Sequence, residues 1–241
     1  MSTSILTPGE PGSAPQPVNL RIAFLGLGRY AGGGPISLHL ARALSRVHTV
    51  RCFVDAGSLV LDDWQASGLD VHVHEGVYRT TAEALLGVVW SGSRHRLIES
   101  VARFRPDVLL VPFIHLWARA VATSAGVPMV LCVHDPKPHP GLTGRIWHAV
   151  ERRAVQASAH VILHTEAFVK DLVERYGVPP ESITVAPLGP MSDYVNGPSS
   201  TVGGSGAPPL VLCFGRIEPY KGVDVLLDAV RPSERPCRSS G

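Results

Sequence analysis

Lysine is scarce in this chain. Lys137, Lys170 and Lys221 are the only three in 241 residues, which carry 22 basic and 20 acidic side chains in all. The resulting net charge of +2 lacks the one-signed field that nucleic-acid-binding proteins use, although single cations can still meet phosphates. Charged residues make up 17% and aromatic residues 6%, against 45% hydrophobic. That balance builds a core and excludes a disordered polyelectrolyte. Cysteine is equally sparse: Cys52, Cys132, Cys213 and Cys237 form no C-x-x-C pair, so neither a zinc ribbon nor a disulfide scaffold is indicated. The first three lie in apolar runs (VRCFV, MVLCV, LVLCF), which predicts small buried hydrophobes. No apolar run approaches the ~20 residues needed to cross a bilayer. Residues 1–17 lack the cationic start and apolar core of a secretory leader. The expectation is a cytoplasmic protein, with peripheral contact at the inner membrane surface left open.

The chain is long enough for one large domain or two small ones. Short apolar runs recur through it: LRIAFLG (20–26), TVRCFVD (49–55), DVHVH (70–74), DVLLVPF (107–113), PMVLCVH (128–134), AHVILHT (159–165) and SITVAP (182–187). They are rich in Val, Ile and Leu and apolar on both faces, as strands of a buried parallel sheet are. Helical spacing fills the gaps at 35–47, 81–104 (broken by Ser-Gly-Ser at 91–93), 117–126, 145–158 and 167–177. Strand and helix alternating this often predict a doubly wound α/β fold, Rossmann-like in its parallel sheet. Residues 195–209 are dominated by Gly, Ser and Pro and read as a linker. A further strand-like run, LVLCFGR (210–216), and a helix start, KGVDVLLDAV (221–230), follow it. The expected organisation is therefore a tail at 1–18, a first domain at 19–194, the linker, the start of a second α/β unit at 210–230, and an aperiodic tail at 231–241.

Three loops carry chemistry. The first strand runs into GLGRYAGGGP (26–35) and then a helix. Glycines there allow a sharp turn and let backbone N–H groups approach an anion at the helix start. A flexible strand–helix turn is the plain alternative. Gly26, Gly28 and Ala31 also fit the dinucleotide fingerprint, with Asp55 ending the second strand where a ribose-binding acid would sit. Gly32, Gly33, Gly34 and the following Pro35 are not part of that fingerprint. The strand at 128–134 ends in His134, at the edge where open α/β sheets hold their ligands; a histidine there can donate to a hydroxyl or share developing charge. A loop histidine satisfied by backbone is the alternative. His139, His148, His160 and His164 read as structural, and His72 and His74 lack a third ligand at metal spacing. In GRIEPYKG (215–222), Arg216 and Lys221 project from one loop, a guanidinium fork and a point charge suited to a diphosphate.

Taken together, FGRIEPYKGVDVLLDAV, the glycine loop, His-Asp at 134–135 and VAPLGP before the linker resemble the retaining GT-B glycosyltransferases of family four. The resemblance covers about residues 20–230. It implies two Rossmann-like domains around a cleft, with the donor nucleotide-sugar held by the second and the acceptor (a sugar, a lipid or another small molecule) mainly by the first. By that resemblance Arg216 and Lys221 neutralise the donor diphosphate as the glycosidic bond breaks. Gly32, Gly33 and Gly34 let the first domain approach phosphate or acceptor, and His134 acts at the sugar's reacting face. No metal or other cofactor is expected.

Members of the family continue for a hundred or more residues, through a glutamate pair that grips sugar and ribose, and nothing after Val230 matches. The tail is mostly Arg, Pro, Ser and Gly, the composition of GC-rich codons read out of frame. The expectation is a glycosyltransferase truncated near residue 230 and inactive as written. Two rivals remain: an NAD-dependent oxidoreductase using GLGRYA and Asp55, and a non-catalytic acceptor-binding module. The 81–104 stretch sets Leu85, Val88, Val89 and Trp90 beside Arg94, His95 and Arg96. Such a helix lies on anionic lipid or packs on the sheet.

Overall fold

The structure is a computed structural model that describes residues 18–29, 33–75, 92–137, 142–189, 213 and 221–230, without the side chains of 142–147. Ala31, Gly32, His139, Arg216, the linker and residues 1–17 and 231–241 lie outside the described residues, as do Leu85, Val88, Val89 and Trp90. The chain divides into two compact units, Met1–Asp193 and Tyr194–Gly241.

In the first unit every expected strand forms. They are β1 (Arg21–Gly26), β2 (Thr49–Asp55), β3 (Asp70–His74), β4 (Val108–Val111), β5 (Met129–Val133), β6 (His160–Leu163) and β7 (Ile183–Val185). All pair in parallel, in the order β3-β2-β1-β4-β5-β6-β7. The helices are α1 (Gly33–Ser45), α2 (Leu61–Gln65), α3 (Gly92–Phe104), α4 (Ala118–Ala125) and α5 (Leu142–Ala157). A composite helix, α6, follows as three consecutive pieces, Glu166–Phe168, Val169–Asp171 and Leu172–Tyr176.

Alternation along β1 divides the core into two. Ala23 and Leu25 join Leu97 and Val101 of α3, Val121 of α4, Val155 of α5 and Leu172 of α6. Ile22 and Phe24 face the other way, toward Leu38 and Ala41 of α1 and Trp64 of α2. Successive side chains of a strand point to opposite faces, so an uninterrupted apolar strand needs both layers. The layers are unequal. Beyond β4 the second face holds Val130 and Ile162 only partly buried, and this leaves space beside α1.

α2 is a helix that periodicity misses, because five residues are too short to show a repeat; Trp64 anchors it, 1% exposed. β4 stops at Val111, short of the predicted Phe113, because Pro112 has no N–H for the ladder. α3 buries Leu97, Val101 and Phe104. Gly126 closes α4 in the left-handed region at φ 68, its N–H on the carbonyls of Ala122 and Thr123. Cys52 and Cys132 are buried as expected.

In the second unit the described residues include one helix, α7 (Val223–Val230), with Val225, Leu227 and Val230 exposed. Cys213 is exposed, against the expectation of burial; among the described residues this unit has no second layer to cover a two-faced apolar run. No described helix is long and apolar enough to cross a membrane.

Candidate functional site

Parallel strands all end at one edge, and chain direction reverses there between β1, which leads outward to β2 and β3, and β4, which leads to β5, β6 and β7. That switch point is where open α/β sheets hold ligands. His134 follows β5 at this edge. Its ring stacks on Phe113, with centroids 3.9 Å apart and 8° between planes, and its Nε2 donates to the Pro112 carbonyl at 2.9 Å. Burial lowers its pKa, against the Pro112 hydrogen bond, and the neighbouring His164 adds to the lowering. A neutral ring with its proton on Nε2 offers Nδ1 as an acceptor for a hydroxyl.

The glycine loop meets the same stack. A side chain on Gly33 would press into the Phe113 ring at 3.2 Å, and one on Gly34 would collide with Val60. Both glycines therefore let α1 begin close to its neighbours.

A cavity of about 440 Å³ opens beside this stack. Ile36, His39 and Leu40 of α1 line it together with Cys132, His134, Ile162, His164 and residues 186–189. His164 and His134 lie 4.7 Å apart by ring centroid. Burial pushes the Cys132 thiol up to about 12, so it lines the cavity as an inert surface and not as a nucleophile. Among the described residues no group of three His, Cys, Asp or Glu side chains converges as a metal site.

Asp55, whose side chain is 1% exposed, accepts from Arg29 Nε at 2.9 Å and from the Gly57 N–H at 2.6 Å. It is committed to an internal ion pair that ties the end of β2 to the loop after β1. The dinucleotide reading of Gly26, Gly28, Ala31 and Asp55 thereby loses its ribose acid. A Cβ at Gly57 would press on both partners of the pair, at 3.1 Å from Arg29 and 3.2 Å from Asp55. His74 and His115 are buried nearby, both lowered in pKa chiefly by burial, His115 to about 3.

Beneath the loop that follows His134, Tyr176 of α6 donates to the Pro136 carbonyl at 2.9 Å, with His148 Nδ1 at 3.1 Å and Glu151 Oε1 at 3.4 Å. Burial raises Glu151 to about 7, opposed by the Tyr176 hydrogen bond and reinforced by Asp135. From pH 4.5 to about 7 the folded chain keeps a proton on Glu151 that the unfolded chain has lost. Its stabilising contribution is complete below 4.5 and is lost as pH rises through 7. Glu151→Gln is expected to remove that loss: its urea midpoint relative to the parent should climb from pH 4.5 to 7 and level off above. His115 has the opposite slope, losing stability as pH falls below 6.5, and cancels in this comparison.

Of the residues singled out by sequence, the structure brings together Gly33 and His134, through Phe113. Gly34 serves α1 packing against Val60. Lys221 is exposed just before α7, while Gly32 and Arg216 lie outside the described residues. His160 holds Thr184 across β6 and β7 at 2.8 Å and His148 meets Tyr176, both structural as expected. His164, also expected to be structural, donates to the Ala186 carbonyl at 2.9 Å and lines the cavity as well. Sequence reasoning missed Phe113, Glu151 and Tyr176, which no spacing links to His134.

The profile of Glycosyltransferase Family 4 matches residues 30–189, more than half of the chain. The chain belongs to that family. His134, Gly32–Gly34 and the described cavity lining fall within the family match, whereas Lys221 lies beyond it. No curated protein matches the chain. Among solved structures it is similar to Anabaena HepE in complex with UDP and glucose, at 16% identity and TM-score 0.51, over 70% of this chain and 44% of that one. A glycosyltransferase from Rickettsia africae matches at 14% identity and TM-score 0.51, over 91% and 52%. A UDP-GlcNAc 2-epimerase from Neisseria meningitidis bound to UDP-GlcNAc matches at 14% identity and TM-score 0.51, over 69% and 45%. The chain thus spans about half the length of the structures it matches. Those likenesses establish the fold that a family-four glycosyltransferase shares with epimerases; the fold by itself does not choose the chemistry.

Proposed function

We propose that the protein acts in glycosyl transfer, moving a sugar from a nucleotide-sugar donor to an acceptor hydroxyl with retention of configuration and without a metal cofactor. The observation that carries this reading is the family match over residues 30–189, within which a neutral His134 stands at the ligand edge of the sheet. The structural neighbours solved with UDP, glucose and UDP-GlcNAc favour a uridine-diphosphate sugar. In this reading Arg216 and Lys221 oppose the charge that gathers on the departing diphosphate. His134 accepts from a sugar hydroxyl through Nδ1, and the Gly32–Gly34 loop gives the substrate a close approach to backbone.

We further propose that residues 1–241 bind on the acceptor side but do not turn over a donor, because the described part of the second unit is one helix with Val225, Leu227 and Val230 exposed. The test compares the 1–241 chain with a longer chain, extended after residue 230 by a complete GT-B second domain. Each is incubated with radiolabelled UDP- and GDP-sugars. Transfer with retained anomeric configuration by the longer chain alone is the expected result. Turnover by 1–241 would refute the inactivity, and inversion at the anomeric carbon would refute the retaining assignment.

A further inference from the structure

The segment that follows His134 is held from below by α6. Tyr176, 2% exposed, has one phenolic proton and two lone pairs, and three groups meet its hydroxyl. The Pro136 carbonyl lies at 2.9 Å, His148 Nδ1 at 3.1 Å and Glu151 Oε1 at 3.4 Å. A carbonyl can only accept, so the phenolic proton goes to Pro136, the shortest of the three contacts. His148 and Glu151 then fit only as donors, the histidine through Nδ1–H and the glutamate as a carboxylic acid. Two further contacts shape the loop. Asp135 Oδ1 accepts from the Lys137 N–H at 3.0 Å, and Lys137 Nζ stands 5.7 Å from the centre of the Phe168 ring of α6. At the other end of the segment, Phe113 and the Pro112 carbonyl fix the His134 ring. His134, Asp135 and Glu151 share the lining of a second cavity, of about 240 Å³.

We infer that Tyr176 and Glu151 form a proton-operated latch on this loop. With the carboxyl protonated, Tyr176 grips the Pro136 carbonyl and keeps His134 in register; with it ionised, the phenol turns to the carboxylate and the loop is released. An ionised Glu151 brings two acceptors to a single proton, and the charge-assisted bond to a carboxylate is the stronger. The Pro136 carbonyl, on a buried residue, then lacks its donor and moves toward water. His148 donates from Nδ1 as the Nδ1–H tautomer and as the imidazolium alike, so its own titration leaves the pattern unchanged. Burial favours the protonated acid and Asp135 adds to this, against the Tyr176 hydrogen bond, which puts the switch at about pH 7. Arg175 of α6 is engaged by Asp171 at 3.0 Å, and Arg152 and Arg153 of α5 and Arg119 of α4 are exposed. Tyr176 and Glu151 act through His134 and are positioning residues. That role rests on the glycosyltransferase reading, whereas the latch itself does not.

The carbonyl can be read directly in the 1–241 chain, because triple-resonance NMR correlates the Lys137 N–H with the carbonyl carbon of Pro136 before it. That carbon should move upfield as pH is raised from 6 to 8, with a midpoint at about 7, as its hydrogen bond is lost. Glu151→Gln, whose neutral amide still donates to the phenol, should hold the downfield position throughout. Tyr176→Phe, which loses only the hydroxyl, should sit upfield throughout. A Pro136 carbon that ignores pH in the parent, or that Tyr176→Phe leaves where the parent has it at pH 6, would overturn the latch and leave the transferase reading untouched. In the longer chain, kcat of Tyr176→Phe at pH 6 should lie about fivefold below the parent, as for one net hydrogen bond. The ratio of parent to Glu151→Gln kcat should fall by about the same factor between pH 6 and 8. A flat ratio beside a responding carbon would overturn the positioning role. No transfer by the longer chain, with the carbon responding as expected, would uphold the latch and overturn the transferase reading.

Discussion

His134→Ala is expected to lower transfer by the longer, donor-complete chain about 100-fold or more in kcat, in the range for loss of a positioned acid–base or charge-sharing side chain. KM for the donor should change far less, because the proposed contact of Nδ1 strengthens as charge develops at the sugar. The ring also contributes a stacked contact with Phe113, so His134→Phe separates the two roles. It keeps an aromatic surface and loses both nitrogens, and it should be as slow as the alanine variant while melting closer to the parent. Near-parental kcat in His134→Ala would remove this residue from the reaction.

Asp55→Ala is expected to destabilise the 1–241 chain by about 2–4 kcal/mol. Removing one partner of a buried ion pair costs about 3–5 kcal/mol, reduced here because the Arg29 side chain is 24% exposed and water screens part of the charge it leaves behind. The Gly57 N–H also loses its acceptor. Urea denaturation reads the loss directly. In a double-mutant cycle with Arg29→Ala, the two losses should fall short of additive, since each single change already breaks the same pair. The dinucleotide alternative makes a different prediction, a loss of NAD affinity with stability nearly unchanged, so one variant separates the readings.

Much of this molecule is legible in its sequence. Seven apolar runs with little polar alternation required a sheet covered on both sides, and all seven formed as strands in the expected places. The glycine loop and His134 were legible as well, because strand ends in a parallel sheet lie on one edge wherever the chain alternates strand and helix. Boundaries shifted where single residues intervened: Pro112 ended β4 early, and Gly33 and Gly34 allowed α1 to begin before Pro35. The five-residue α2 carried no periodic signal, and its position rests on Trp64 filling a gap in the second layer.

Family membership was similarly within reach of the sequence, since the motifs that carry it are local runs of residues. Burial and pairing were not. Asp55 occupies the same place in the sequence whether it binds a ribose or an arginine, and only the fold brings Arg29 against it across 26 positions of chain. Glu151 and Tyr176 converge beneath Pro136 from helices 25 residues apart, so the raised pKa of Glu151 has no sequence signature. His164 looked like any strand-end histidine until the uneven covering of the sheet opened a cavity beside it. Local pattern determined the elements and their order because those follow from backbone hydrogen bonding and hydrophobic period. The buried, unpaired Nε2 of His164, the lowered pKa of His134 and the internal Asp55 pair were decided by tertiary structure, because desolvation depends on which distant segments exclude water from a side chain.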